Sequence, residues 1–128
     1  MRNFVFILVI LPLFSFAQAE TQAYQEASAK FEQYYNAEDY EEIFKMFSST
    51  MQKSLPLDQF KVTAQQIKQQ LGSIQSREYK GITTGTSVIY KATFENNVAG
   101  LHMTLNTNNE LDGLWIKPYE ESTSTESE

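Results

Sequence analysis

The sequence contains no cysteine. No disulfide can staple it and no lipidated cysteine can tether it, so its stability must come from an apolar core. Histidine occurs once, at His102. HxH and HExxH spacings are therefore missing, and no metal site is expected from a lone imidazole. There is no G-x-S-x-G, which removes the strained serine elbow of many hydrolases. "GITTGT" (residues 81–86) has glycines but neither the lysine nor the following helix of a phosphate loop, so it reads as a plain loop. Basic residues are also scarce, with 10 Lys+Arg against 16 Asp+Glu and a net charge of −6. Without a basic stripe, nucleic acid is not an expected partner.

Long apolar runs are absent except at the start. Arg2 precedes "FVFILVILPLFSF" (residues 4–16), and "SFA" ends at Ala17 in a small-x-small pattern. This is the layout of a secretory signal peptide over residues 1–17, with "AQA" offering alternative cleavage after Ala19. The run falls short of the roughly 20 apolar residues of a spanning helix, so no membrane anchor is expected once it is removed. The expected location is the periplasm or the exterior. At the other end, "EESTSTESE" (residues 120–128) has no apolar side chain to bury and is expected to be a disordered acidic tail. Residues 20–119 remain as one domain.

Within that domain the apolar period is first helical. Tyr24, Ala27, Phe31, Tyr34 and Tyr35 recur at steps of three and four. Asn36 interrupts, and is expected to cap a second helix with Glu38 and Asp39 in its first turn. That helix, "AEDYEEIFKMFSSTMQ", carries Tyr40, Ile43, Phe44 and Phe47. A third runs from Pro56 through Phe60, Ala64, Ile67 and Leu71 to a stop at Gly72.

After Gly72 the period becomes two. "SIQSREYKGI", "SVIYKATFE", "VAGLHMTLNT" and "ELDGLWIKPY" read as strands, the last three separated by Asn96-Asn97 and Asn108-Asn109. Two-residue turns at these pairs predict a register. Phe94 then faces Ala99, Ala92 faces Leu101, Tyr90 faces Met103 and Val88 faces Leu105. Across the second turn Leu105 faces Asp112, Met103 faces Leu114 and Leu101 faces Ile116. One sheet face is then apolar and must meet the helices. The other carries Trp115, with His102 opposite it, Lys91 opposite His102, and Ile89, Thr93, Thr104 and Tyr119 alongside. The expected fold is α+β, with about three N-terminal helices on one face of a curved antiparallel meander of about four strands.

The segments "NAEDYEEIFKMFSSTMQKSLPLDQF", "GSIQSREYKG", "YKATFEN" and "LDGLWIKPY", in this order, resemble small exported bacterial domains of the nuclear transport factor 2-like, cystatin-like group. Similar domains stand alone or precede serine beta-lactamase-like or α/β-hydrolase domains; here the chain ends soon after Tyr119, so none is expected to follow. The resemblance implies a cone with a pocket at its open end and an outer sheet face that often forms a dimer. It also implies that enzymes of the group place carboxylates, His or Tyr inside the cone.

Pocket candidates are Tyr90, Asp112, Tyr34 and Met103. Asp112 is the one acid expected on the helix-facing side and the one candidate general base; the simpler expectation is that it accepts hydrogen bonds at a wet strand end or caps a helix. Interface candidates are Trp115, His102, Lys91, Ile89 and Tyr119. No cofactor is expected. The leading expectation is a non-catalytic module that binds a small apolar ligand or a partner protein and pairs with itself through the outer face. Two rivals are a cone-pocket isomerase, dehydratase or hydrolase using Asp112 and a tyrosine, and an accessory domain for a separately encoded serine hydrolase.

Overall fold

A computed structural model of the chain describes residues 19–83 and 87–120. The expected signal peptide, most of the acidic tail and the centre of the "GITTGT" loop lie outside these residues. Four helices come first: α1 (Gln22–Asn36), α2 (Tyr40–Met46), α3 (Ser49–Ser54) and α4 (Leu57–Leu71). Four strands follow: β1 (Ile74–Ile82), β2 (Val88–Phe94), β3 (Val98–Leu105) and β4 (Leu111–Pro118). The strands form one antiparallel sheet in the order β1-β2-β3-β4, so the fold is α+β.

The helical stripes do what their spacing requires. Ala27, Phe31 and Tyr35 of α1, Tyr40 and Ile43 of α2, and Phe60 and Ala64 of α4 are buried against Val88, Tyr90, Ala92, Phe94, Leu101 and Met103 of the sheet. Burying each large side chain of this set contributes about 1.5–3 kcal/mol. Thr21 caps α1 by accepting from the Tyr24 N–H at 3.2 Å, and Gly72 ends α4 with φ 84°.

The expected second helix is two. Phe47 is extended (ψ 145°) and bridges Leu111, and the Ser48 N–H donates to the Leu111 carbonyl at 2.8 Å. Two residues thus leave the helix to pair with β4, and Ser48 Oγ restarts it by accepting from the Met51 N–H at 3.1 Å. Asn36 is also not a cap. It is the last residue of α1, and its amide accepts from the Ile74 N–H at 2.8 Å and donates to the Ile74 carbonyl at 3.0 Å. The residue before α2 is Asp39, whose side chain makes no capping bond.

The first hairpin register is displaced by two residues. Tyr90 pairs with Leu101, Ala92 with Ala99 and Val88 with Met103. Phe94 N–H donates to the Asn97 carbonyl, while Glu95 N–H and Asn96 N–H donate to Ser73 and Leu71 carbonyls. The turn backbone is committed to the end of α4 and the start of β1, which lengthens the loop. An even displacement keeps every side chain on its expected face. It also replaces Lys91 by Ile89 as the residue opposite His102, with Lys91 opposite Gly100. In the second hairpin Leu101–Ile116 and Met103–Leu114 pair as expected, but Leu105 pairs with Leu111. The irregularity leaves Asp112 as the extra residue and buries Leu111 completely.

Asn36→Ala removes both bonds to Ile74 at the point where β1 begins. It should lower the unfolding free energy by about 1–3 kcal/mol in urea titrations. A loss below about 0.5 kcal/mol, the range of ordinary surface substitutions, would show that the clasp is dispensable.

Candidate functional site

The helices cover one face of the sheet and leave the other bare. On that bare face, period two brings Gly113, Trp115 and Lys117 of β4 beside Gly100, His102 and Thr104 of β3. The two glycines form its floor. A Cβ on Gly113 would stand 2.6 Å from Trp115 Cη2 and Cζ3, and one on Gly100 would stand 3.2 Å from His102 Nε2. The Trp115 ring therefore occupies the space over the Gly113 backbone that a side chain there would need; the same Cβ would stand 3.5 Å from Thr104 Cβ. Trp115 is nonetheless 49% exposed. The indole is thus placed on the surface of the sheet and is not a core filler.

Charged and aromatic groups surround the indole. Lys117 Nζ stands 6.0 Å from the Trp115 ring centroid, and Lys91 Nζ stands 5.5 Å from that of Tyr119. Both amines thus sit over aromatic faces that favour a cation. His102, Ile89, Lys117 and Tyr119 line a shallow cleft of about 380 Å³ next to Trp115. Partial burial and the Lys117 charge hold the His102 imidazole below its ordinary pKa, so the neutral ring is favoured. Among the described residues no group of three or more His, Cys, Asp or Glu could hold a metal ion.

Four of the five interface candidates, His102, Trp115, Lys91 and Ile89, share this face, and Tyr119 closes its edge. Lys117 completes the set and was missed in the sequence; its place two residues after Trp115 on a strand is the signal that would have found it.

The pocket candidates do not come together. A small apolar cavity of about 80 Å³ lies between helices and sheet, lined by Phe31, Phe47, Phe60, Ile67, Leu114 and Ile116 among others, and by none of Tyr90, Asp112, Tyr34 and Met103. Among the described residues no carboxylate or histidine lines it. Tyr35 does, but its hydroxyl donates to the Gly72 carbonyl at 2.8 Å. Met103 is fully buried, and Tyr34 packs at the edge of the core. Asp112 accepts from Ser48 Oγ at 2.6 Å. Because Ser48 caps α3, this bond ties the strand to the helix start.

Tyr90 donates to the Glu20 carboxylate and to the Tyr24 carbonyl. Burial, reinforced by Glu20, pushes the Tyr90 hydroxyl well above the ordinary tyrosine range, which keeps it protonated.

A family model described as "Protein of unknown function (DUF3887)" matches residues 28–114, from α1 to the middle of β4. Comparison with curated proteins and with solved structures returned no significant match.

The depressed His102 pKa has a readable consequence. The unfolded chain takes up this proton near the ordinary 6.5, and the folded chain only at lower pH. The contribution to stability is complete above that value and is lost as pH falls through the folded pKa. A proton NMR titration should place the His102 midpoint below 6.5, and Lys117→Gln should move it upward. A midpoint at or above 6.5 in the wild type would contradict the packing of the ring against the sheet.

Proposed function

The chain belongs to the DUF3887 family, and from its geometry we propose that it is an exported, non-catalytic binding module that pairs with a second copy through the outer face of its sheet. One observation carries the reading: Trp115 lies over the Gly113 backbone and is half exposed, in a face that no helix covers. A two-fold axis through such a patch makes it self-complementary, because each residue meets its counterpart or a neighbour on the other copy. Ile89 and His102 supply the apolar surroundings. Glu78 pairs across the strands with Lys91 and gives the rim charges of both signs.

Export is supported by Arg2, the apolar run at residues 4–16 and the small residues that end at Ala17. The element order, helices first and an open four-stranded meander after, supports a nuclear transport factor 2-like cone. The absence of carboxylates and histidine from the lining of the apolar cavity supports binding over catalysis. That cavity suits an apolar group of only a few atoms: an engineered cavity of about 150 Å³ is what accepts benzene.

Sedimentation should show concentration-dependent self-association of the wild type. Trp115→Ala should weaken it by about ten- to a hundredfold, the effect of removing an aromatic anchor, with the urea midpoint unchanged at dilutions where both proteins are monomeric. Monomeric behaviour of the wild type at high concentration, matched by Trp115→Ala, would sink the proposal.

A further inference from the structure

Tyr40 opens α2 and is 3% exposed. Its ring stands edge-on to Phe60, with centroids 6.4 Å apart. Its hydroxyl is buried and has no hydrogen-bond partner among the described residues. Buried polar atoms in folded proteins are nearly always satisfied, so an orphan of this kind calls for a partner from outside the chain. Tyr40 lines a cleft of about 500 Å³ together with Glu38, Glu95, Lys68 and Gln65. This cleft belongs neither to the outer sheet face nor to the apolar cavity.

The cleft has more acidic than basic groups in its lining. α4 ends at Leu71, Gln69 and Gly72 line the cleft, and the carbonyl end of a helix carries partial negative charge. Glu38 and Glu95 add two carboxylates. Each has one oxygen engaged: Glu38 Oε2 accepts from Lys68 Nζ at 3.1 Å, and Glu95 Oε1 accepts from the Ser73 N–H at 2.9 Å. The second oxygen of each has no partner among the described residues. The one cation in the lining, Lys68, is already committed. Its side chain is 14% exposed, it also donates to the Asn36 carbonyl at 3.4 Å, and it stands 5.7 Å from the Tyr35 ring centroid. Two carboxylates, the end of α4 and an idle hydroxyl oxygen thus surround one neutralised amine.

We propose that this cleft binds a primary ammonium group, which donates to the open oxygens of Glu38 and Glu95 and to the Tyr40 hydroxyl. An ammonium has three N–H donors and no acceptor, which matches three acceptors around one charge. The Tyr40 oxygen lies beneath the cleft surface, so the third bond requires a lining side chain to swing aside. Burial, with Glu38 second, pushes the Tyr40 hydroxyl above its ordinary pKa, so it stays neutral and keeps an acceptor lone pair. The ammonium can belong to a free small amine or to a lysine side chain of a partner.

The test is a ¹H–¹⁵N correlation titration of the whole protein with n-butylammonium, with N-acetyl-lysine amide and with tetramethylammonium. Saturable shifts at residues 36–40, 65–73 and 95 are expected with the first two and not with the third, which has the charge but no N–H. Tighter binding of butylammonium points to a free amine, and tighter binding of the lysine derivative to a protein side chain. Glu38→Gln with Glu95→Gln should weaken binding at least tenfold, since both side chains are on the surface and glutamine keeps the oxygen that accepts from the Ser73 N–H while losing the charge. Tyr40→Phe should weaken it about three- to tenfold, as the loss of one hydrogen bond does. The same variant should keep or slightly raise the thermal midpoint of the protein without amine, because it deletes an unsatisfied buried atom. Equal, non-saturating shifts with all three cations, or unchanged affinity in the double glutamine variant or in Tyr40→Phe, would overturn the proposal.

Discussion

The fold depends on how the helical half hands the chain to the sheet at Gly72. α4 can stop there because glycine takes φ 84° without strain, and a Cβ at this position would stand 2.6 Å from Glu95 Oε1. From this point three separate parts of the chain converge. Tyr35 from α1 donates to the Gly72 carbonyl. Asn36 gives the Ile74 backbone the two bonds that another strand would give it. Glu95 accepts from the Ser73 N–H while its own N–H donates to the Ser73 carbonyl. Five backbone groups at the helix-to-strand switch, the Gly72 carbonyl and the N–H and C=O of Ser73 and Ile74, are thereby satisfied. The end of α1, the end of α4 and the first hairpin are fixed to one another, and the apolar stripes meet the sheet in one arrangement.

That node also sets the limits of what the sequence could reveal. Faces were legible because a strand alternates with period two, and the first hairpin moved by two residues. Tyr90, Ala92, Leu101 and Met103 therefore stayed inside, and Trp115 and His102 stayed outside, although the partners changed. The partners were not legible because they are decided by Leu71 and Ser73, which capture the turn backbone. Nothing within "ENN" announces that capture. Asp112 is the opposite case: one extra residue in the strand breaks the alternation locally, so Leu111 goes in where an alternating pattern would put Asp112.

The break between α2 and α3 follows the same logic. "EEIFKMFSSTMQ" reads as helix because Phe44 and Phe47 sit three apart, which suits one helical face. Phe47 and Ser48 instead pair with Leu111, 64 and 63 positions later in the chain, a non-local contact that local propensity cannot encode. Ser48 was readable as a helix start, since Ser is a favoured cap and its Oγ accepts from Met51. What no local rule supplies is that the same Oγ donates to Asp112. One hydroxyl therefore closes the first turn of α3 and fixes the bulged end of β4. The aspartate that invites a catalytic reading by its side of the sheet is held by a structural bond.

The placement of charge bears on what the outer face can do. The chain carries a net −6, so two copies repel at distances beyond about the 8 Å Debye length only weakly, and more strongly on contact. The pairing proposed for this face would then rest on short-range apolar contact. The face is suited to that. Its two lysines, Lys91 and Lys117, rest over Tyr119 and Trp115, which softens the cost of bringing amines toward an interface. His102 between them favours its neutral form, which removes a third positive charge. Gly100 and Gly113 contribute no side chains and let the indole and the imidazole lie close to the backbone. The result is a flat aromatic surface on an acidic chain. It lies on the side of the sheet away from the helices, whose apolar stripes pack on the other side.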